Sequence, residues 1–228
     1  MFRDAINIFT GKPAVQISST ITMNTPTSAS SEPPSACAQQ CTRYMRECAH
    51  NEIPGFEKQI WTFQYEPNKL ETYCQIHENG SECLSSCPES MAKSLANQGL
   101  DIGRHICNGS AIRIHATCIT EVVRPLQSVC EAADKCGMYP LPEGHDIRPS
   151  SVDEFKQLIR QTCLRLKCNL DCASSSIIDR CGQSAEQDVE LIVRTAARYL
   201  KVLTETIKIP RAYAAECSIL ANLTDPNL

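Results

Sequence analysis

Residues 35–48, with the sequence SACAQQCTRYMREC, carry the pattern that decides the fold. Residues three or four positions apart lie on the same face of a helix. This spacing is followed by Cys37, Cys41, Tyr44, Met45 and Cys48. Three of these five residues are cysteines, so the face that buries apolar side chains also carries sulfur. The pattern predicts an amphipathic helix that disulfide bonds fix to its neighbours.

Helical spacing recurs along the rest of the chain, and residues 36–228 contain no sustained strand alternation. Helical segments are predicted at residues 70–77, 82–95, 111–135, 155–181 and 184–207, with a short last helix that carries Tyr213, Cys217 and Leu220. Pro88 is expected either to break the segment at residues 82–95 or to begin a new helix there. We therefore expect an all-α, disulfide-rich domain of six or seven helices.

Local signals place several helix ends. Ser151-x-x-Glu154 has the pattern of a capping box, and Ser184 is expected to begin the following helix in the same way. Gly182 is predicted to end the helix before it, and Pro125 is expected to kink the middle helix.

The chain divides into a tail, residues 1–35, and a cysteine-rich domain, residues 36–228. Thirteen of the eighteen residues 18–35 are Ser, Thr or Pro, which predicts disorder, as a plain linker or with O-linked sugar. A proline-rich loop at residues 137–149 divides the domain into possible subregions 36–136 and 150–228. Residues 1–16 lack a signal peptide's apolar run of about 7–15 residues, so we expect an incomplete start.

Cysteine usage predicts secretion into an oxidising, extracellular compartment. A reducing cytosol rarely holds so many cysteines in one chain. Because the count is odd, one cysteine is free, pairs with another chain or has its partner outside this sequence. The fifteen disulfide candidates are Cys37, Cys41, Cys48, Cys74, Cys83, Cys87, Cys107, Cys118, Cys130, Cys136, Cys163, Cys168, Cys172, Cys181 and Cys217.

The sequence leaves the disulfide pairing open, except for one hypothesis that rests on helix geometry. Two cysteines four residues apart share a helix face and bridge a neighbouring helix more readily than each other. An antiparallel hairpin would then be stapled as Cys37–Cys87 and Cys41–Cys83.

Three Asn-x-Ser/Thr sequons make Asn79, Asn108 and Asn222 candidate glycosylation sites. The first two contain glycine, so we expect them in exposed turns.

Composition argues against several other partners. The net charge is −4, and neither a long basic block nor an apolar run of about 18 residues is present. We expect no nucleic-acid partner, no membrane span and no cofactor. Zinc at Cys74, His77, Cys83 and Cys87 remains an alternative.

Catalysis is not expected either, since no nucleophile-elbow or HExxH motif occurs. His115 is predicted to be a packed or half-exposed histidine beside the core. Asp153 and Glu154 are expected to complement a helix dipole.

The Ser/Thr-rich leader and the spacings Cys37-x3-Cys41-x6-Cys48, Cys83-x3-Cys87 and Cys168-x3-Cys172-x8-Cys181 resemble the nematode chondroitin proteoglycan 4 domain family over residues 36–220. The resemblance implies a secreted, helical, cysteine-rich module of the egg or extracellular matrix. Chondroitin attaches at Ser-Gly, and the chain lacks this dipeptide, so it need not be a proteoglycan itself.

A weaker likeness is to the helical cysteine-rich modules of co-receptors for growth factors of the glial-derived neurotrophic factor type. It implies a secreted binding module for a protein, glycan or lipid rather than a matrix component. A lipid would require an apolar cavity lined by residues such as Phe155 and Ile192, and a protein partner would require an exposed apolar patch. A secreted hydrolase is the third hypothesis.

Overall fold

The protein is described here by a computed structural model, which covers residues 34–55, 59, 62–108, 110–132, 134–139, 152–206 and 215–221. These residues contain no strand, so the all-α prediction is confirmed for this part of the chain. Its helices are α1 (Pro34–Glu52), α2 (Pro67–Ser86), α3 (Met91–Asn108), α4 (Ser110–Cys130), α5 (Val152–Cys181), α6 (Gln183–Thr206) and α7 (Ala215–Ala221), with a short 3-10 turn at Cys136–Met138. The predicted tail, apart from its last two residues, lies outside the described residues, as does most of the proline-rich loop.

The structure divides one predicted helical segment at Pro88, as the proline allowed, and shortens another. The segment at residues 82–95 is not one helix, because α2 ends at Ser86 and α3 begins at Met91. Pro88 lies between them and has no N–H to continue a helix. The middle helix ends at Cys130 rather than Lys135, because the chain turns there and Gly137 N–H donates to the Ala132 carbonyl.

The junction between α5 and α6 follows the predicted glycine signal. Gly182 has a φ of +91°, and its N–H donates to the Ile178 carbonyl at 3.0 Å. Helix α6 begins at Gln183, one residue earlier than predicted, and Ser184 Oγ contacts His115 Nε2 at 3.2 Å. Asp153 and Glu154 lie in the first turn of α5, as expected, whereas Ser151 of the predicted capping box lies outside the described residues.

The buried side chains of both predicted subregions belong to one hydrophobic core. Helix α1 packs against α2 and α3, α4 packs against α5 and α6, and α3 also packs against α6. Contacts of α3 with α6, and of α4 with α5 and α6, therefore join the two halves of the sequence. The largest fully buried side chains are Tyr65, Phe63, Leu84, Ile106, Ile119, Ile159, Ile177, Ile192, Leu203, Leu220 and Val189.

Seven disulfides connect the helices: Cys37–Cys87, Cys41–Cys83, Cys74–Cys107, Cys118–Cys181, Cys130–Cys172, Cys136–Cys168 and Cys163–Cys217. The first two join α1 to Cys87, which directly follows α2, and to Cys83 within α2, and they are the pairs that the hairpin hypothesis specifies. Cys48, on the same face of α1, is the cysteine without a disulfide partner.

Arg165 of α5 fixes the segment that follows α4. Its guanidinium donates to the Cys136 carbonyl at 2.8 Å and forms an ion pair with Glu131 at 2.9 Å. The arginine side chain is 9% exposed, so this pair is largely removed from water.

Among the helices of the described residues, none combines the length and the apolar character that crossing a bilayer requires.

Candidate binding site: a polar cavity between three helices

A surface cavity of about 470 Å³ lies where α2, α3 and α4 meet. Its volume falls in the range of ~300–1,000 Å³ that small-molecule sites occupy. Polar side chains from all three helices line it, including Glu71, Glu78, Ser81, Arg104, Asn108 and Arg113. Such a lining suits a ligand with many hydrogen-bonding groups rather than an apolar one.

The Cys74–Cys107 disulfide and His77 form another part of the cavity wall. Since a carbonyl accepts, His77 Nε2 donates the 2.8 Å hydrogen bond to the Leu100 carbonyl. Burial lowers the pKa of His77 below its ordinary value, so the ring is held neutral. In that tautomer Nδ1 is a hydrogen-bond acceptor.

Close approach of α2 and α3 holds this histidine in place. A Cβ atom added at Gly103 of α3 would overlap the His77 ring, so a larger residue at position 103 would displace it. The absence of a side chain at Gly103 thus lets the imidazole reach the main chain of α3.

The formal charges of the cavity lining cancel. Arg104 and Arg113 are balanced by Glu71 and Glu78. Arg113 also pairs with Glu71 at 2.8 Å across α4 and α2, and Arg104 pairs with Asp101 at 2.6 Å within α3. A neutral polar or zwitterionic ligand therefore matches the lining better than a polyanion.

The two described sequons occupy different environments. Asn108 is exposed at the end of α3 and lines the cavity. Asn79 is half-buried within α2, so the expected exposed turn at this sequon is wrong. The turn was expected because Asn79 precedes a glycine, but Gly80 is buried against Met45 of α1 and supports helix packing instead. Asn222 lies outside the described residues.

The ligand set of the zinc alternative is not assembled in this structure. Cys74 is bonded to Cys107, and Cys83 and Cys87 are bonded to cysteines of α1. His77 is hydrogen-bonded to the main chain. The three cysteines are thus disulfide sulfurs rather than thiolates that could bind a metal.

Three other residues named from the sequence lie outside the cavity lining. Phe155 and Ile192 are buried in the hydrophobic core, where they contact protein rather than an open lipid site. His115 is half-buried, as expected, and contacts Ser184.

Sequence patterns did not reveal the charged groups of the cavity. Glu71 and Arg113 are distant in sequence, and both resemble ordinary residues on solvated helix faces. Gly103, inside a helix, was the available signal, because an internal glycine often marks a close approach between helices.

Comparison with protein-family models, with curated proteins and with solved structures finds no match for this chain.

Proposed function

We propose that the protein is a secreted, non-catalytic interaction protein of the extracellular matrix. The observation that carries this proposal is the pairing of all cysteines but Cys48 in seven disulfides. Bridges of this number form and persist in oxidising compartments, whereas cytosolic thiols are kept reduced.

The matrix assignment rests on the cysteine spacing that resembles the chondroitin proteoglycan 4 domain family. Because the chain lacks Ser-Gly, we assign it the role of a protein component rather than a carrier of chondroitin.

The non-catalytic assignment is supported by how the polar groups are used. In the cavity, His77 is bonded to a main-chain carbonyl and both arginines are paired with carboxylates. The contact between Ser184 and His115 lies at the exposed start of α6, away from the cavity lining.

The experiment that tests this function is fractionation of the source tissue after a membrane-permeable alkylating reagent has trapped all free thiols. An antibody against the folded domain should detect the protein in the extracellular fraction, with its disulfide cysteines protected from alkylation. Detection in the cytosolic fraction with most cysteines alkylated would overturn the proposal.

The alternative function is a secreted ligand-binding module, and the polar cavity is the observation that favours it. Its lining favours a polar ligand such as a glycan over a lipid. Resonance shifts of Gln75 and Ser81 on titration with neutral saccharides would support this alternative. Shifts confined to core residues on titration with fatty acids would contradict the polar assignment.

A further inference from the structure

We propose that the polar cavity is a saccharide-binding cleft, and that its occupant is the protein's own N-linked glycan attached to Asn108. This inference rests on the proposed extracellular function, because N-linked glycans are carried by proteins of the secretory route.

The position of Asn108 is the first argument. Its side chain is exposed, lies in the sequon Asn108-Gly109-Ser110 and contributes to the cavity wall at the end of α3. A sugar bonded to its Nδ2 therefore begins at the edge of the cavity. Tethering at this position keeps the local concentration of the saccharide high without any further contact.

The chemistry of the lining is the second argument. A saccharide is neutral and presents many hydroxyl and amide groups, and the lining supplies cancelling charges together with donors and acceptors. Arg104 and Arg113 donate, Glu71 and Glu78 accept, and Ser81 does both. Hydrogen bonds to ionised side chains are stronger than those between neutral groups, so this lining suits sugar hydroxyls.

Asn79 provides the contrast. Its sequon also borders the cavity through Ser81, yet Asn79 itself is half-buried within α2. The neighbouring Gly80 is buried against Met45, so α2 cannot bulge outward at this point without losing its packing on α1. We therefore assign the cavity glycan to Asn108 and not to Asn79.

The modification exchanges one N–H bond of Asn108 for a bond to the first sugar. Asn108 Nδ2 bonds to the anomeric carbon of that sugar, and the proton that it loses passes to the leaving diphosphate. The bond from that carbon to the diphosphate of a lipid-linked oligosaccharide donor breaks, and the lipid diphosphate leaves.

The test uses full-length protein made in a secretory host that attaches N-linked glycans. Glycopeptide mass spectrometry identifies the occupied sequons, and peptide-N-glycosidase then releases the glycan from native and from denatured protein. Arg113→Ala removes a donor from the cavity wall. Arg124→Ala is the matched control, because Arg124 is also exposed on α4 and pairs at 3.8 Å with a glutamate, Glu66, which directly precedes α2.

We expect Asn108 to be occupied, Asn79 to be unmodified, and native release to be slower than release from denatured protein. Arg113→Ala should speed native release about tenfold, the effect of losing one hydrogen bond to a charged group, and Arg124→Ala should leave the rate unchanged. A secreted, seven-bridge protein without sugar at Asn108 would overturn this inference and leave the proposed function standing. Equal release rates for both variants would also overturn it, because the glycan would then lie in solvent. Reduced, unsecreted protein would instead contradict the proposed function.

Discussion

Gly103 is the residue on which the approach of α2 to α3 depends most directly. The His77 ring occupies the space that a Cβ atom at position 103 would need. Its hydrogen bond to the Leu100 carbonyl holds the ring there, so the ring cannot easily move aside. We expect Gly103→Ala to destabilise the protein by about 1–3 kcal/mol, the usual cost of overpacking, despite alanine's better helix propensity. Chemical denaturation measures this change.

Gly99→Ala is the matched control on the same helix. The nearest atom to an added Cβ there is in the Tyr199 side chain at 3.4 Å, an ordinary contact. This substitution should stabilise the protein by about 0.5–1 kcal/mol through helix propensity. A similar effect of both substitutions would contradict the close approach at His77.

The buried His77 predicts a loss of stability in mild acid. Burial lowers the pKa of folded His77 below 6.5, so between the two pKa values the unfolded chain binds more protons. This contribution is fully present above pH 6.5 and is lost as the pH falls through the folded pKa.

His77→Gln keeps a donor for Leu100 and should reduce the difference in unfolding free energy between pH 7.5 and pH 5. An undiminished pH dependence in His77→Gln would show that another group is responsible.

At the scale of the helices, the ends that glycine and proline determine were predictable from sequence. Gly182 ends α5 with a positive φ, as its position after Cys181 predicts, and Pro88 separates α2 from α3. The antiparallel staple of α1 on α2 was also derivable, because cysteines four residues apart share a face. The end of α4 could not be predicted from the sequence, since it depends on tertiary contacts of Arg165 and Cys136.

Among the basic residues of α5, we expect Arg165 to cost the most stability when its side chain is removed. Arg165→Ala would leave Glu131 and the Cys136 carbonyl without this partner in a largely dry site. We expect a loss of about 3–5 kcal/mol, measured by urea unfolding. Arg180→Ala, at an exposed position of the same helix, should change stability by less than about 0.5 kcal/mol, and equal losses would contradict a clamping role for Arg165.

At the scale of the whole molecule, the amino-acid composition predicted that disulfides stabilise the fold, but it did not predict the polar cavity. Fifteen cysteines and helical periodicity were sufficient for a disulfide-rich all-α domain. The cavity depends on side chains of α2, α3 and α4 that are distant in sequence and carry no motif, so only the packed structure reveals it.

The Cys118–Cys181 bridge should contribute strongly to the stability of the whole molecule. It joins α4 to the end of α5 across a sequence separation of 63 residues, the largest among the seven. The Cys130–Cys172 bridge lies inside this loop and already shortens it to about 20 residues, so replacing Cys118 and Cys181 by serine should cost about 3 kcal/mol through loop entropy. Cys48→Ser removes no bridge and should cost much less, and thermal unfolding of the two variants checks the difference.

The most direct test of the central claim is a count of free thiols by alkylation and intact mass, followed by mapping of disulfide-linked peptides, on folded secreted protein. The disulfide-stapled extracellular account predicts one alkylated cysteine in denaturant without reductant, mapped to Cys48, and fourteen more after reduction. Joined peptides should include Cys37 with Cys87 and Cys41 with Cys83. A folded sample in which most cysteines react without reductant would contradict the account.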